Sequence, residues 1–538
     1  MSEKQGEILN TIESYKELDE ISKDIAKTED KIQKLIDNLK DRKASLKQML
    51  LDYKDQHNWS QFDANLLDSF VEETYCIDPH RFGTGGKVLE WYVYVPKFVK
   101  FHIGRLERAT HSYNVFSVTQ YMRNFADEIP QELLDRFPKL DIELKVVDGK
   151  LITDSNEETT ERAFSKYRQF LYKKDSVGVM SVKKGSEWEL IAQIIEDGGM
   201  PFEPKATDSS DFRPNSNGGF GGHADWKVRD YQQEALDKFV EYGAIGIYWP
   251  FGTGKSEFGL ELLDRLKGHK LIIGSTLFLK EQWQERIGLL KPERQSECHC
   301  LCYASKTEIQ RLITQYKQFS LVIFDECHHL PAHTFMWLST IPTKYRVGLT
   351  GSPYREDGHI NYILALTGYP MGLAWSKFIA EGIITLAQIQ VHVVSKEKQK
   401  LALFDDMMKR DFGKTIIFCD SLDLGESLSK KYNIPHVWSQ SKNNMDTLRN
   451  NEKAIVSRVG DEGISLPDID TIVEIDFLGG SRYQSLQRAG RLSHRGYAAD
   501  KEPAVHHVIM TEEELEKYGK RLLGFYDKGF KVDYLYHN

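Results

Sequence analysis

Cysteine is scarce in this chain. Six in 538 residues do not make a disulfide framework, and they fit a reducing compartment inside the cell, whether cytoplasm, nucleoid or nucleus. Long apolar runs are missing too. The longest, such as Ala244 to Phe251 and Leu321 to Phe324, fall far short of the ~20 residues a membrane span needs, so no membrane partner is expected. The charged N-terminus lacks the apolar stretch of a signal peptide. With 39 Gly and 16 Pro, a collagen-like or globally disordered chain is excluded. An excess of positive charge is also absent. Lys and Arg number 71 against 80 acids, net −9, which rules out a small basic coat protein but leaves local basic grooves open. What is present is 40% hydrophobic and 28% charged, an ordinary soluble composition long enough for about three or four domains.

Residues 1–57 hold one Gly and no Pro. A 3-4 alternation runs Leu18, Ile21, Ile25, Thr28, Ile32, Leu35, Leu39, Arg42, Leu46, Met49, Tyr53, apolar at nine of eleven positions. This predicts a long helix. It serves either as a coiled coil that self-associates or docks a protein partner, or as an amphipathic helix packed on its own chain. Residues 58–202 read as an α/β accessory domain, with a strand over Val88–Val95 and a helical region over Glu161–Gly198. Between Arg81 and Tyr113, six Lys or Arg, among them Lys97 and Lys100, alternate with aromatics. That mixture suits nucleic acid through phosphate neutralisation and base stacking, although aromatics in a strand also build cores. The Gly-, Pro-, Ser- and Asn-rich stretch 203–225 reads as a linker. Beyond it, short apolar strands alternate with helices in two series that split near residue 390. The pattern predicts two parallel-sheet α/β lobes, 226–390 and 391–538.

Three motifs carry chemistry. Pro250 to Ser256 (PFGTGKS) follows a strand and opens a helix. Its backbone at Gly252, Thr253 and Gly254 suits a phosphate, with Lys255 reaching the β/γ-phosphates and Ser256 placed to ligate Mg²⁺. The strict pattern would have Gly where Trp249 stands. Leu321 to His329 ends an apolar strand in Asp325 and Glu326, an acid for Mg²⁺ and an acid to polarise attacking water. Arg488 and Arg491 stand three apart on a helical stretch and are expected to share a face, from which they could reach across a cleft to the γ-phosphate. Cys298, Cys300 and Cys302 read as one face of a strand, not a metal site.

Taken in order, these residues resemble the superfamily 2 helicases of the DExH type, in the group around the xeroderma pigmentosum group B helicase and the phage branched-DNA helicases. Arg229-Asp230-Tyr231-Gln232 resembles the entry motif, which implies Arg229 and Gln232 near adenine. Ser275 to Trp283 is similar to motif Ia, implying that Thr276, Gln282 and Trp283 meet a nucleic-acid backbone. Leu349 to Pro353 resembles motif III, and Arg355-Glu356-Asp357 a triplet of the group B helicases. Ile416 to Asp420 resembles motif IV and Gly460 to Pro467 motif V, with Gly463 at the nucleotide. Gln487 to Arg491 is similar to motif VI, implying that Gln487 meets nucleotide and that Arg488 and Arg491 are arginine fingers. His494 stands where Arg is frequent, and the span from Gln390 to Thr415 leaves no room for a thumb insertion. The resemblance implies two RecA-like lobes, ATP and Mg²⁺ between them, and movement on or unwinding of single-stranded or branched DNA. An RNA helicase, or an ATP-switched motor or interaction subunit of a restriction or defence complex, remains open.

Overall fold

The computed structural model describes residues 3–55, 60–78, 90–99, 105–110, 112–119, 130–137, 140–147, 149–154, 156–199, 206–216, 218–353, 355, 360–372, 375–438, 441, 444–457, 469–477, 479, 481–494 and 504–537. The chain falls into two compact units: Met1–His80, Tyr92–Phe101 and Thr110–Val115 form the first, and the remainder the second.

The first unit starts with helix α1, Glu3–Asp55, about 80 Å long at 1.5 Å per residue. Pairs four apart, Lys34 with Asp30 at 2.7 Å and Gln48 with Asp52 at 2.8 Å, support its polar side. Each contributes only about 0.2–0.5 kcal/mol. Its apolar seam is open to solvent: Leu35 is 70% and Met49 68% exposed, and Ile25, Ile32, Leu39 and Leu46 are exposed as well. Near its end Lys43 pairs with Glu73 at 2.6 Å, just beyond helix α2, Gln61–Val71. Strand β1, Cys76–Ile77, runs antiparallel to β2, Glu90–Pro96, with Cys76 opposite Tyr94. Tyr94 meets Phe62 at 5.4 Å, and Tyr113 and Phe98 meet Phe70 at 4.5 and 5.5 Å. Those aromatics therefore build the packing against α2, the core alternative for this region.

The second unit includes strand β3, Arg105–Ala109, and an antiparallel sheet of β4, Leu144–Val147; β5, Lys150–Thr153; β6, Leu171–Ser176; and β7, Val179–Val182, in the order β4-β5-β7-β6. Helices α3, Glu157–Lys166, and α4, Glu187–Glu196, belong to this part. The helical region expected over 161–198 is thus broken by a hairpin. Strand β6 reads LYKKDS and buries only Leu171, so it lacks the alternation that marks a half-buried strand. Tyr362 donates to Glu196 at 2.9 Å and His333 meets Trp188 at 4.6 Å, which seats α4 on the first lobe.

The stretch expected as a linker is instead part of that lobe. Asp208 N donates to Tyr345 at 2.9 Å, Asn215 donates to Glu261 at 2.8 Å, Ser216 N donates to Asp264 at 2.6 Å, and Phe220 is buried. Its Ser and Asn residues compose like a linker, yet they serve here as partners for the buried carboxylates Glu261 and Asp264.

Lobe 1 contains α5, Asp230–Tyr242; β8, Ala244–Ile247; α6, Lys255–Arg265; β9, Lys270–Gly274; α7, Leu277–Ile287; β10, Cys298–Cys302; β11, Phe319–Asp325; β12, Thr343–Leu349; α8, Ile360–Thr367; and β13, Tyr369–Met371. Its all-parallel sheet has the order β10-β9-β11-β12-β8-β13. The three-cysteine stretch is the strand β10. Lobe 2 contains β14, Gln388–Val394; α9, Glu397–Met408; β15, Thr415–Cys419; α10, Leu422–Tyr432; β16, His436–Val437; β17, Lys453–Val456; β18, Thr471–Asp476; α11, Arg482–Gly490; β19, Val505–Thr511; α12, Leu523–Asp527; and β20, Val532–His537. They form a seven-stranded parallel sheet, β16-β17-β15-β18-β19-β14-β20. Both sheets are near-continuous apolar strands flanked by helices, the architecture that the alternation predicts.

At the centre of lobe 2 lies a charged network with no solvent access. Arg488 donates to Glu474 and to Asp420, each at 2.6 Å, and Arg521 donates to Glu474 and, at 2.7 Å, to Ser485. Burial alone would raise the Glu474 carboxyl, but Arg521 and Arg488 overcome it and hold the group far below its ordinary 4.5. Its contribution to stability is therefore complete above about pH 4.5 and is withdrawn only as pH falls toward the folded value. Glu474→Ala strands two buried guanidinium groups. It is expected to cost about 3–5 kcal/mol in denaturant unfolding followed by circular dichroism. A loss below about 1 kcal/mol would contradict the network's role.

Candidate nucleotide site and nucleic-acid surfaces

Strand β8 ends at Ile247, and a loop returns into α6 through Gly252 and Gly254, with φ of 75° and 89°. At Gly254 the φ of 89° is what requires glycine, and a Cβ there would also lie 2.6 Å from Gln232 Nε2. The loop is tied back onto α5: Tyr231 donates to the Thr253 carbonyl at 2.6 Å, and Gln232 Nε2 lies 3.4 Å from the same oxygen. Lys255 Nζ donates to the carbonyls of Trp249 at 3.1 Å and Pro250 at 3.0 Å. Trp249 thus fills the lobe interior where the strict pattern has glycine, and its carbonyl still faces the loop. Burial pushes Lys255 down to about 8, against the pull of Glu326 and Asp325, and Arg491 acts in the same direction as burial. A cleft of about 610 Å³ opens over the loop, lined by Arg229, Gln232, Gly252, Thr253, Gly254, Lys255 and Ser256.

Asp325 and Glu326 end β11 beneath the loop. Trp283 Nε1 donates to Asp325 Oδ2 at 2.7 Å, and Glu326 N donates to Oδ1 at 3.0 Å. Burial, and after it the charge of Glu326, raises Asp325. A carboxylate whose negative charge is penalised in this way suits a cation, and Ser256 and Asp325 are the residues that would hold Mg²⁺. Glu326 has φ +51°, the left-handed region, which turns its side chain out of the strand direction. Burial raises it too, but His328, Tyr483 and the charge of Lys255 more than offset this and hold Glu326 below its ordinary value.

Lobe 2 approaches through α11. Gly490 packs so closely on the loop that a Cβ would lie 2.1 Å from the Phe251 ring. Tyr483, Gln487 and Arg491 are spaced four apart and so follow one stripe of the helix. Tyr483 donates to Glu326 at 2.7 Å, Gln487 is buried, and Arg491 is close enough to depress Lys255. Arg488 does not belong to this group. It is wholly buried in the Glu474 and Asp420 network, and the expectation that it is an arginine finger is corrected. The helix gives way to a 3-10 turn at Arg491, and the two arginines part.

The expected nucleic-acid residues divide. Trp283 is 1% exposed and bonded to Asp325, so it braces the acid and cannot meet a strand. Gln282 accepts from Arg286 at 3.4 Å, a residue of the cleft wall. Thr276 caps α7 by accepting from Leu279 N at 3.2 Å and is half-buried, beside Leu277 at 70% exposure. Lys97 is exposed. Lys100 and Gly463 lie outside the described residues, as do Glu356 and Asp357 and the whole stretch expected as motif V. Two residues escaped the sequence reading. Trp226 is 50% exposed, stacked on His223 at 4.0 Å, and lines the cleft beside Arg229. It was the first residue of the expected lobe 1, directly after the supposed linker. Tyr483 stood four residues ahead of the motif VI likeness with no signal for its role.

Residues 225–355 match the family model described as the res subunit of type III restriction enzymes. A chain of Haloarcula marismortui that bears the helicase name Rad25 is 28% identical over 310 residues, covering 49% of this chain and 50% of that protein. The DNA 3'-5' helicase XPB of Mycobacterium tuberculosis is 25% identical over 341 residues, 54% of this chain and 62% of that protein. This chain resembles the XPB group of superfamily 2. A DNA 3'-5' translocase XPB2 of Sulfurisphaera tokodaii is 28% identical over 193 residues, 34% of this chain and 44% of that one. The chain spans about half the length of the first curated relatives it matches.

Trp226→Ala removes an aromatic face from the cleft. Aromatic stacking is worth about 0.5–1.5 kcal/mol. Dissociation constants for a fluorescent ATP analogue are expected to rise by roughly 2–10-fold, with melting temperature unchanged. An unchanged constant would remove Trp226 from the nucleotide site.

Proposed function

We propose that this protein is an ATP-dependent DNA motor of superfamily 2, a helicase or translocase of the XPB kind. The observation that carries the reading is the meeting of the two lobes at the phosphate loop and the acid pair: Tyr483 of lobe 2 donates to Glu326 of lobe 1 at 2.7 Å, and Gly490, the residue before Arg491, packs on Phe251 of the loop that leads to Lys255. ATP is bound with its phosphates on Gly252 to Ser256 and its base toward Arg229, Gln232 and Trp226. Lys255 faces the β/γ-phosphates, Glu326 orients the attacking water, and Arg491 neutralises charge that develops on the γ-phosphate. Mg²⁺, held by Ser256 and Asp325, supplies charge neutralisation at the phosphates. Gln487, buried on the same stripe as Arg491, has an Nε2 with no hydrogen-bond partner among the described residues, which supports a place beside the nucleotide. Gly463 is proposed on motif resemblance alone.

Opening and closing of the cleft moves a single-stranded or branched DNA past the lobes, with Thr276 at the N-terminus of α7 and Gln282 near it as backbone contacts, and Lys97 and Lys100 as contacts in the N-terminal half. The protein acts inside the cell, and α1 joins copies or recruits a partner through its exposed seam. A second reading, a motor subunit of a restriction complex, is supported by the match of 225–355 to a res-subunit model.

ATPase assays with single-stranded, forked and duplex DNA and with RNA, at fixed salt, test this. Stimulation by DNA is expected, as is its steep loss as salt rises. Stronger stimulation by RNA would replace the DNA reading. Lys255→Ala should abolish turnover, and Arg491→Ala should lower it by roughly 10²-fold. Arg488→Ala should lower the melting temperature instead. Replacing Lys97 and Lys100 by Ala should weaken DNA affinity and leave DNA-free ATPase unchanged. Removing 1–57 should leave ATPase within about threefold, because separately packed units fold independently. It should reduce the mass seen by light scattering, and an unchanged mass with unchanged partner capture would end the self-association reading.

A further inference from the structure

The carboxylate of Glu326 is held through one of its oxygens. Tyr483 Oη donates to Oε2 at 2.7 Å, Thr350 Oγ1 lies 3.2 Å from Oε2, and His328 Nδ1 lies 3.4 Å from it. None of these three reaches Oε1. Thr350 and His328 belong to lobe 1 and travel with Glu326 whatever the lobes do. Tyr483 comes from the first turn of α11 in lobe 2, and its bond is the shortest of the three. Its ring also covers His328, with centroids 3.9 Å apart, and its hydroxyl lies 3.1 Å from Thr350. One lobe 2 side chain therefore touches every group that aims Glu326.

We propose that Tyr483 is the positioning residue for Glu326, fixing one carboxylate oxygen across the cleft so that the other faces the attacking water, and that it does so only while the lobes are together. The inference rests on the ATPase reading above. Tyr483 lies in the first turn of α11 and Arg491 directly after its last residue, eight residues or about 12 Å apart. Closing lobe 2 on lobe 1 thus delivers the γ-phosphate cation and orders the water-activating acid in one movement. With the lobes apart, Glu326 retains two long contacts from its own lobe and loses its best donor, so hydrolysis in the open state is suppressed. Arg482, the neighbour of Tyr483, is itself fixed: it donates to the Leu106 carbonyl at 2.6 Å and to Glu107 at 3.1 Å, so the start of α11 is not free to swing.

The test is Tyr483→Phe in the full chain, which keeps the ring on His328 and removes only the hydroxyl. We expect kcat for DNA-stimulated hydrolysis to fall by roughly 10–30-fold. KM for ATP, affinity for a non-hydrolysable analogue and melting temperature should stay near wild type, because the hydroxyl touches no part of the phosphate loop. A structural role would not separate kcat from these readouts. The second arm is a double-mutant cycle with Glu326→Gln, read by single-turnover hydrolysis of radiolabelled ATP. If Tyr483 acts through Glu326, Tyr483→Phe should change the Glu326→Gln enzyme by less than about twofold. Tyr483→Phe turnover within twofold of wild type would overturn the proposal, as would a full-sized further loss in the Glu326→Gln background. Both results leave the ATPase reading intact. A wild-type protein that does not hydrolyse ATP would overturn that reading and this inference together.

Discussion

The bonds from Arg488 to Glu474 and Asp420 set the geometry on which the cleft depends. A guanidinium and two carboxylates without solvent cannot be separated without leaving a buried charge uncompensated, so the position and rotation of α11 are fixed to within a side chain's reach. Once Arg488 points into the lobe 2 sheet, Tyr483, Gln487 and Arg491 must follow a different stripe of the helix, the stripe from which Tyr483 reaches Glu326. The charged residue that looked like a reacting group is therefore the one that orients the others. Well-packed apolar residues in place of the whole network could be as stable. What the ion network adds is a single angular setting, because each terminal nitrogen of Arg488 has an acceptor placed to receive it.

The lobe 1 acid pair obeys the same economy of contacts. Trp283 was expected at a nucleic-acid strand because it follows Gln282 in a motif-like stretch. Its indole instead spans from α7 to Asp325 and satisfies one carboxylate oxygen in a region where burial opposes charge. Glu326, one residue on, is held below its ordinary value because its donors are more numerous, and one of them arrives from the other lobe. Two adjacent acids are thus given different characters by their partners, as division of labour between cation and water requires.

The sequence was informative where the physics is local. Parallel strands, the phosphate loop and the acid pair are written in contiguous residues, and periodicity located both lobes. It failed where a residue's meaning lies in a distant partner. Nothing near Arg488 says that Glu474 and Asp420 will receive it. The Asn and Ser residues before 225 read as linker because their partners, Glu261 and Asp264, are more than 40 residues away. The hairpin of β6 and β7 was missed because a Lys-rich edge strand protects itself from pairing by abandoning alternation, which is the signal used to find it. Tyr483 could have been flagged only by noting that it lies four and eight residues before Gln487 and Arg491.

Strand β3 extends this argument to the boundary of the catalytic part. Leu106 N donates to Asp527 at 2.8 Å, and Glu107 is shared by Arg482 at 3.1 Å and Lys520 at 2.7 Å. Burial would raise Glu107, yet the bond from Lys520 and the charges of Arg105 and Arg482 hold it below its ordinary value. These contacts bind a segment from the first fifth of the sequence to α11 and α12 near its end. The catalytic half consequently does not begin at the phosphate loop: without residues 105–109, Arg482 would lose its acceptors, and the turn that carries Tyr483 would lose its anchor. Whatever acts on the chain around β3 acts, through Arg482, on the start of the helix that leads directly into Arg491.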